Sequence, residues 1–428
     1  MVSISPGVLG TTGFVIKPGP FVATSDSETG LALFNPPEAR EFRDSVLTSD
    51  GNTVFVAGRT TDLITRATLA SFDVATFNYT DLDLYANALT TNGGVQFFGV
   101  TLTDNDANVV SVGYDVDGAN FYKGLVVKTQ ANTGTIQWQK YFDFDSGPGT
   151  TYAESITRVV SDSNGDLYVL GFVRTSVTSS GSDAVLMKLN SNGVAQWSRR
   201  FLLSQATDGE SIQIDGNGDL VILLRHRINN TLDGFVLAKF DTSGNQVWAR
   251  QVRITNEDDT RPSRLGIDSN NDILVAGAYS DNVFINGGTP FVMKFNSSGV
   301  RQWEMRSSPN DAVVNDLAVT DDGSVYVVGE VPGVIGGTNP GGADAFIMKV
   351  NNAGTRQWQL AAGSVTSNLD YFNTVVDTAD GTNDVIAFGY MAQSAGAFYI
   401  NTPKIAMRFP ADGNIVGTYD SGEFSVQT

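Results

Sequence analysis

The chain has 428 residues, with 27 Lys plus Arg against 46 Asp plus Glu for a formal net charge of −19, and it contains 45 Gly, a single His and no Cys. An acidic chain without a basic stripe repels phosphate backbones, which argues against nucleic acid as a partner, and the lack of Cys with only one His excludes thiolate zinc sites, Cys nucleophiles and His-rich metal centres. Charged residues at 17% with abundant Gly point to many turns and few long helices, and no apolar run approaches the ~18 residues of a membrane span, so no membrane insertion is expected.

Residues 1–40 form the first segment. Two short apolar runs, Phe14–Lys17 and Leu31–Phe34, are preceded by a Pro-Gly step at Pro6, separated by another at Pro18 and followed by the Pro36-Pro37 pair, which break any helix. The start MVSISPGVLG has neither a basic n-region nor an apolar h-region, so no signal peptide is expected. The segment reads as an extended arm that either supplies a strand to close the last repeat or docks on partner chains. Ile4, Ser5, Pro6, Gly7 and Val8 are similar to the start of contractile-tail sheath and related phage tail proteins. The resemblance implies that Ser5, Pro6, Gly7 and Val8 belong to an assembly arm whose partners are other virion proteins.

From about residue 41 the chain repeats, the feature to settle before any local reading. A polar turn followed by an apolar strand ending in Gly occurs as TSDGNTVFVAG to Gly58, TDNDANVVSVG to Gly113 and SDSNGDLYVLG to Gly171. It recurs as IDSNNDILVAG to Gly277, TDDGSVYVVG to Gly329 and ADGTNDVIAFG to Gly389, with Leu224 taking the Gly place in IDGNGDLVILL. A second signature ends at Trp138, Trp197, Trp248, Trp303 and Trp358, as in KLNSNGVAQW, and these are all five Trp of the chain. The first and last units lack it. Seven units of about 55 residues result.

In the third unit, apolar runs bounded by Asn-Gly and Ser-Gly place strands at Ser155–Ser161, Asp166–Val173, Asp183–Leu189 and Ala195–Phe201. Short Asn-Gly and Asp-Gly connections predict type I′ hairpins and therefore antiparallel neighbours. One such unit cannot bury its own faces, so seven of them predict an all-β protein, a seven-bladed β-propeller of four-stranded antiparallel blades over residues 41–428, preceded by the 1–40 arm. DSNGDLYVLG, a variable loop and DAVLMKLNSNGVAQW resemble the bacterial seven-bladed β-propeller repeats over about residues 40–420. The resemblance implies the fold and no single activity.

The five Trp read as fillers of the gap to the neighbouring blade rather than as a sugar-stacking ring, and the six Gly as obligatory positions of the blade. Lys128, Lys188, Lys239, Lys294 and Lys349 recur at one strand position and read as structural or solvated, with stems on apolar surface. Turns such as Asp162-Ser-Asn164-Gly-Asp166, Asp215-Gly-Asn217-Gly-Asp219 and Asp268-Ser-Asn270-Asn-Asp272 begin like calcium loops but lack the closing bidentate Glu. Asx-turn chemistry accounts for them without metal, so no cofactor is expected. His226, in VILLRHRINN, has no Ser, Cys or carboxylate constellation beside it in the sequence and reads as structural. Variable loops at Thr175–Ser182, Asn256–Ser263, Ser280–Pro290, Pro332–Gly342 and Ala392–Pro403 should share one face of the disc, where recognition sits if there is any.

The expectation is a non-enzymatic structural protein of a bacteriophage virion, tail- or capsid-associated, with the arm docking it and the propeller displayed outward. Its further partner would be a host-surface glycan or protein at the loop face. Removing residues 1–40 should then abolish incorporation and leave a folded propeller. The alternative is a bacterial surface or released adhesion module using the same loop face, and a third reading is an enzyme using carboxylates there; the fold alone does not choose among them.

Overall fold

The computed structural model describes residues 31–34, 40–60, 66–75, 79–85, 94–116, 122–142, 144, 153–174, 181–203, 206–229, 232–254, 259–280, 288–307, 312–332, 343–364, 370–390, 404–415, 417–419 and 424–427. Among them there is no helix. The strands form seven antiparallel sheets, and in five of them the strands follow chain order from an innermost to an outer one. In the third blade they are Ala153–Ser161, Leu167–Arg174, Ser182–Leu189 and Ala195–Phe201. The fold is a seven-bladed β-propeller.

The apolar side chains make seven cores, each between two neighbouring blades. A single blade has two apolar faces and nothing of its own to cover them, so stacking in a ring is what buries them. The ring closes between the first and last blades through Phe42, Phe72 and Phe388, with the rings of Phe72 and Phe388 4.9 Å apart. The Ser45 and Thr374 hydroxyls meet at 2.6 Å across the same seam.

Both ends of the chain depart from the simple repeat. Leu31–Phe34 pairs with Lys404–Met407 as the outermost strand of the last blade. Truncation at residue 40 would therefore remove a strand of the propeller as well as the arm, which revises the expectation that such a variant keeps the fold intact. Residues 1–30, including Ser5, Pro6, Gly7 and Val8, lie outside the described residues. The strand Phe424–Gln427 pairs with the outer edge of the sixth blade and Gly417–Tyr419 pairs with it in turn, giving that blade six strands.

The turn Asp104–Ala107 has two left-handed central residues, Asn105 and Asp106 at φ 54° and 65°, as type I′ requires, whereas the Asx turns differ from that expectation. In Asp162–Asp166 the Gly165 amide donates to the Asp162 carbonyl at 3.0 Å, and Gly165 alone has positive φ, at 77°. That is a type I turn followed by one left-handed residue, whereas type I′ needs two. The Asp162 Oδ1 accepts from the amides of Asn164 and Asp166 at 2.9 and 3.0 Å. This side chain holds the αR turn, so the second left-handed residue is not needed.

Candidate functional site

The innermost strands surround an axial channel, and every one of them is bulged at the same place. The ladder shifts register between Phe42 and Asp44, Phe97 and Gly99, Ile156 and Arg158, Gly209 and Ser211, Pro262 and Arg264, Val314 and Asp316, and Phe372 and Thr374. A bulge adds one residue that pairs with nothing and re-aims its side chain. Here it produces the half-buried ring Arg43, Phe98, Thr157, Glu210, Ser263, Asn315 and Asn373.

The strand-end glycines exist for this bulge. Gly58, Gly113, Gly171, Gly277, Gly329 and Gly389 face the residue just before the bulged one. A Cβ on Gly329 would lie 1.8 Å from the Val313 carbonyl oxygen, and one on Gly113 would lie 1.8 Å from that of Gln96. Leu224, the one departure, faces Gly209, so the fourth blade carries its glycine on the opposite strand of the same pair.

Four bulge side chains tie neighbouring blades together. Thr157 donates to the Gly209 carbonyl at 2.7 Å, Ser263 to Val314 at 2.6 Å, Asn315 to Phe372 at 2.8 Å and Asn373 to Phe42 at 2.6 Å. One layer deeper, Arg264 spans the axis, its Nε donating to Asp316 at 2.6 Å and its Nη2 to Asp44 at 2.8 Å. Burial, partly offset by Arg264, pushes the Asp44 carboxyl up to about 7. This layer separates two cavities.

The loop-face cavity, about 300 Å³, is lined by Arg43, Arg158, Arg225 and Arg261 together with Glu210, Asp259, Phe98 and Tyr279. The turn-face cavity, about 630 Å³, is lined by Asp268, Asp321 and Asp377 and by no Lys or Arg among the described residues. The two mouths therefore have opposite charge. Arg158 Nη1 donates to the carbonyls of Phe98 at 3.0 Å and Thr157 at 2.6 Å. Arg43 pairs with Glu41 at 2.7 Å, and Arg261 with Asp259. Glu210 lines the cavity, and burial, aided by Asp208 and opposed by Arg225, pushes its carboxyl up to about 8.

The residues singled out from the sequence lie elsewhere. Trp138, Trp197, Trp248, Trp303 and Trp358 sit on outer strands, and each indole N–H donates to a carbonyl in the next blade, at 3.3, 3.1, 3.2, 3.1 and 3.1 Å. Each also lies against a positive-φ glycine of that blade, Gly193, Gly244, Gly299, Gly354 or Gly413. The recurrent lysines are more engaged than solvated stems. Lys128 pairs with Asp104 at 2.6 Å, Lys188 with Asp166 at 2.8 Å and Lys294 with Asp268 at 2.8 Å. Lys239 pairs with Asp215, and Lys349 donates to the Ala411 carbonyl at 3.0 Å.

In the turns that begin like calcium loops, Asp215 and Asp268 thus give one oxygen to turn amides and the other to a lysine. His226 is buried in the fourth blade, its Nδ1 3.3 Å from the Thr207 hydroxyl. The bodies of the variable loops, 175–180, 255–258, 281–287, 333–342 and 391–403, lie outside the described residues, and their flanking strand ends Asp259 and Ser280 line the loop-face cavity.

Sequence reasoning missed the channel ring. Its signal was present: Arg43 precedes Gly58 by 15 positions, and the other ring members precede their anchor residues by 14 to 16.

No protein-family model matches the chain, and no curated protein matches it in sequence. Among solved structures, the chain is similar to the β-propeller domain of the Trilobed protease from Pyrococcus furiosus, with 10% identity over 88% of this chain and 98% of that one and a TM-score of 0.46. Sqt1 from Chaetomium thermophilum matches at 10% identity over 88% and 97%, with a TM-score of 0.48. A protein of unknown function from Bacteroides caccae matches at 11% identity over 71% and 91%, with a TM-score of 0.41. At these scores the likeness carries no argument about activity. The class rests on strand pairing: a seven-bladed β-propeller with an arginine-lined cavity on its loop face.

Proposed function

We propose that this chain is a non-enzymatic structural component of a bacteriophage particle, held by its amino-terminal arm, with the loop face turned outward to a host-surface glycan or protein. The observation that carries the reading is the arm. Its strand Leu31–Phe34 is stitched to the outer edge of the last blade, so the described part of the arm joins the propeller at its rim, and the Ser5-Pro6-Gly7-Val8 start precedes it in the sequence. In the loop-face cavity no described residue is a Cys or His, and Asp259 is engaged by Arg261, which supports recognition over carboxylate catalysis.

The test is deletion of residues 1–30, which spares the closing strand. The shortened chain is expected to unfold at the parent's temperature and to be missing from purified particles. Particles that carry it at full occupancy would overturn the proposal. A parent chain produced with no particle at all would favour the surface-adhesion reading, which shares the loop face.

A further inference from the structure

The ring of bulge residues follows a rule at four positions and breaks it at three. At four positions a short polar side chain donates to the next blade's carbonyl. The other three, Arg43, Phe98 and Glu210, make no such bond, and all three line the loop-face cavity. Ser263, Asn315 and Asn373 line the same cavity and keep the inter-blade contact; since a repeat protein gains stability from each copy of that contact, the three positions that forgo it mark side chains with another use.

The substitutions are chemically coherent. Four guanidinium groups converge on about 300 Å³ in a chain of net charge −19, an arrangement whose self-repulsion a bound anion relieves. Arg158 is held by two carbonyl oxygens, and among the described residues no carboxylate pairs with it. Its charge is positioned and left uncompensated, the state that suits a planar carboxylate. Phe98 supplies an apolar wall, backed by Tyr114 at a ring separation of 5.7 Å. Tyr279 supplies another, fixed by Arg306 5.0 Å above its ring. Asn315 and Asn373 add polar lining. The volume admits one sugar-sized group and no chain.

We propose that the loop-face cavity binds the carboxylate of an acidic monosaccharide unit at the end of a glycan, with Arg158 as the principal anion contact and Phe98 and Tyr279 flanking the ring. Glu210 tunes the site. Around it stand Asp208 on its own strand, Arg225 on the neighbouring strand, and Arg43, Arg158, Arg261 and Asp259 across the cavity. Protonated, Glu210 leaves the guanidinium charge intact and offers a hydrogen; ionised above about pH 8, it opposes the ligand. The ligand class deepens the proposed outward display, while the site itself is tested on the isolated chain, so failure here leaves the arm-docking result standing and the reverse holds equally.

The experiment is calorimetric titration of the full chain at pH 7 with N-acetylneuraminate and glucuronate, against galactose, acetate and inorganic phosphate. Both acidic sugars are expected to bind and galactose not to. Arg158→Met should weaken binding by about tenfold or more, the scale of a lost charge-assisted bond. Because Arg158 also holds two carbonyls, Glu210→Gln is the second variant. It removes the ionisable group, so whatever its affinity at pH 7 it should, unlike the parent, keep that affinity at pH 9. No heat with either acidic sugar overturns the proposal, as does phosphate or acetate binding as tightly as the sugars. A Glu210→Gln variant that loses affinity between pH 7 and 9 as the parent does overturns the role of Glu210.

Discussion

Replacing Arg264 with Met probes the layer that ties the inner strands of the first, fifth and sixth blades. Arg264 is 5% exposed and bonds Asp316 at 2.6 Å and Asp44 at 2.8 Å from the blades on either side of the axis. Without it the two carboxylates keep only their other contacts. Asp316 retains the amides of Leu317 and Val375 at 2.9 and 3.0 Å, and Asp44 the amide of Val100 at 3.0 Å. Removing one partner of a buried ion pair costs about 3–5 kcal/mol. For a 428-residue chain at roughly 2.1 cal/mol/K of unfolding entropy per residue, that is a fall in Tm of about 3–6 °C.

The loss depends on pH. Asp44 is raised in the folded state to about 7, so the folded chain holds a proton that the unfolded chain releases above its ordinary carboxylate pKa. Its contribution to stability is present below that pKa and is lost as pH rises toward 7. Arg264 lowers the Asp44 value, so its removal extends the loss beyond pH 7. The variant should therefore lie closer to the parent at pH 5 than at pH 8. Thermal unfolding followed by Trp fluorescence reads this directly, because all five Trp lie between blades. An unchanged Tm at pH 8, or an equal deficit at both pH values, would refute the reasoning.

Three further outcomes are expected. Gly329→Ala places a Cβ 1.8 Å from the Val313 carbonyl oxygen and should lower stability by at least about 1–3 kcal/mol in urea unfolding, the range for overpacking. Trp303→Phe keeps an aromatic at the blade interface and deletes the 3.1 Å bond to the Asn352 carbonyl, so a loss near 1 kcal/mol is expected in the same assay. Calcium or a chelator should leave the melting temperature unchanged, since Lys239 and Lys294 already occupy the free oxygens of Asp215 and Asp268; a calcium-dependent rise of several degrees would count against the Asx-turn account.

Much of the architecture was legible because it is written locally and repeated. The turn Asp162–Asp166 and the strand Leu167–Arg174 are set by residues within ten positions of one another, and their recurrence through the chain gave the number of blades. The details of the turn were less legible. Asn-Gly alone suggested two left-handed residues, and the Asp162 side chain, by holding the amides, made one sufficient. The lysines likewise could be read only as structural or solvated because their partners, such as Asp268 for Lys294, lie 26 positions away in a turn.

The sequence by itself determined the blade: its strand count, its hairpins, and the glycine that each bulge requires. Only the tertiary structure decided what the bulges were for. Arg43, Arg158, Glu210 and Arg261 come from four different blades; the period marks the ring positions, but neither the gathering of these charges at one cavity nor the pairing of Leu31 with Met407 follows from it. Periodicity reports contacts within a repeat. The channel and the ring closure come from contacts between residues on different blades, which exist only once the seven blades have closed on one axis.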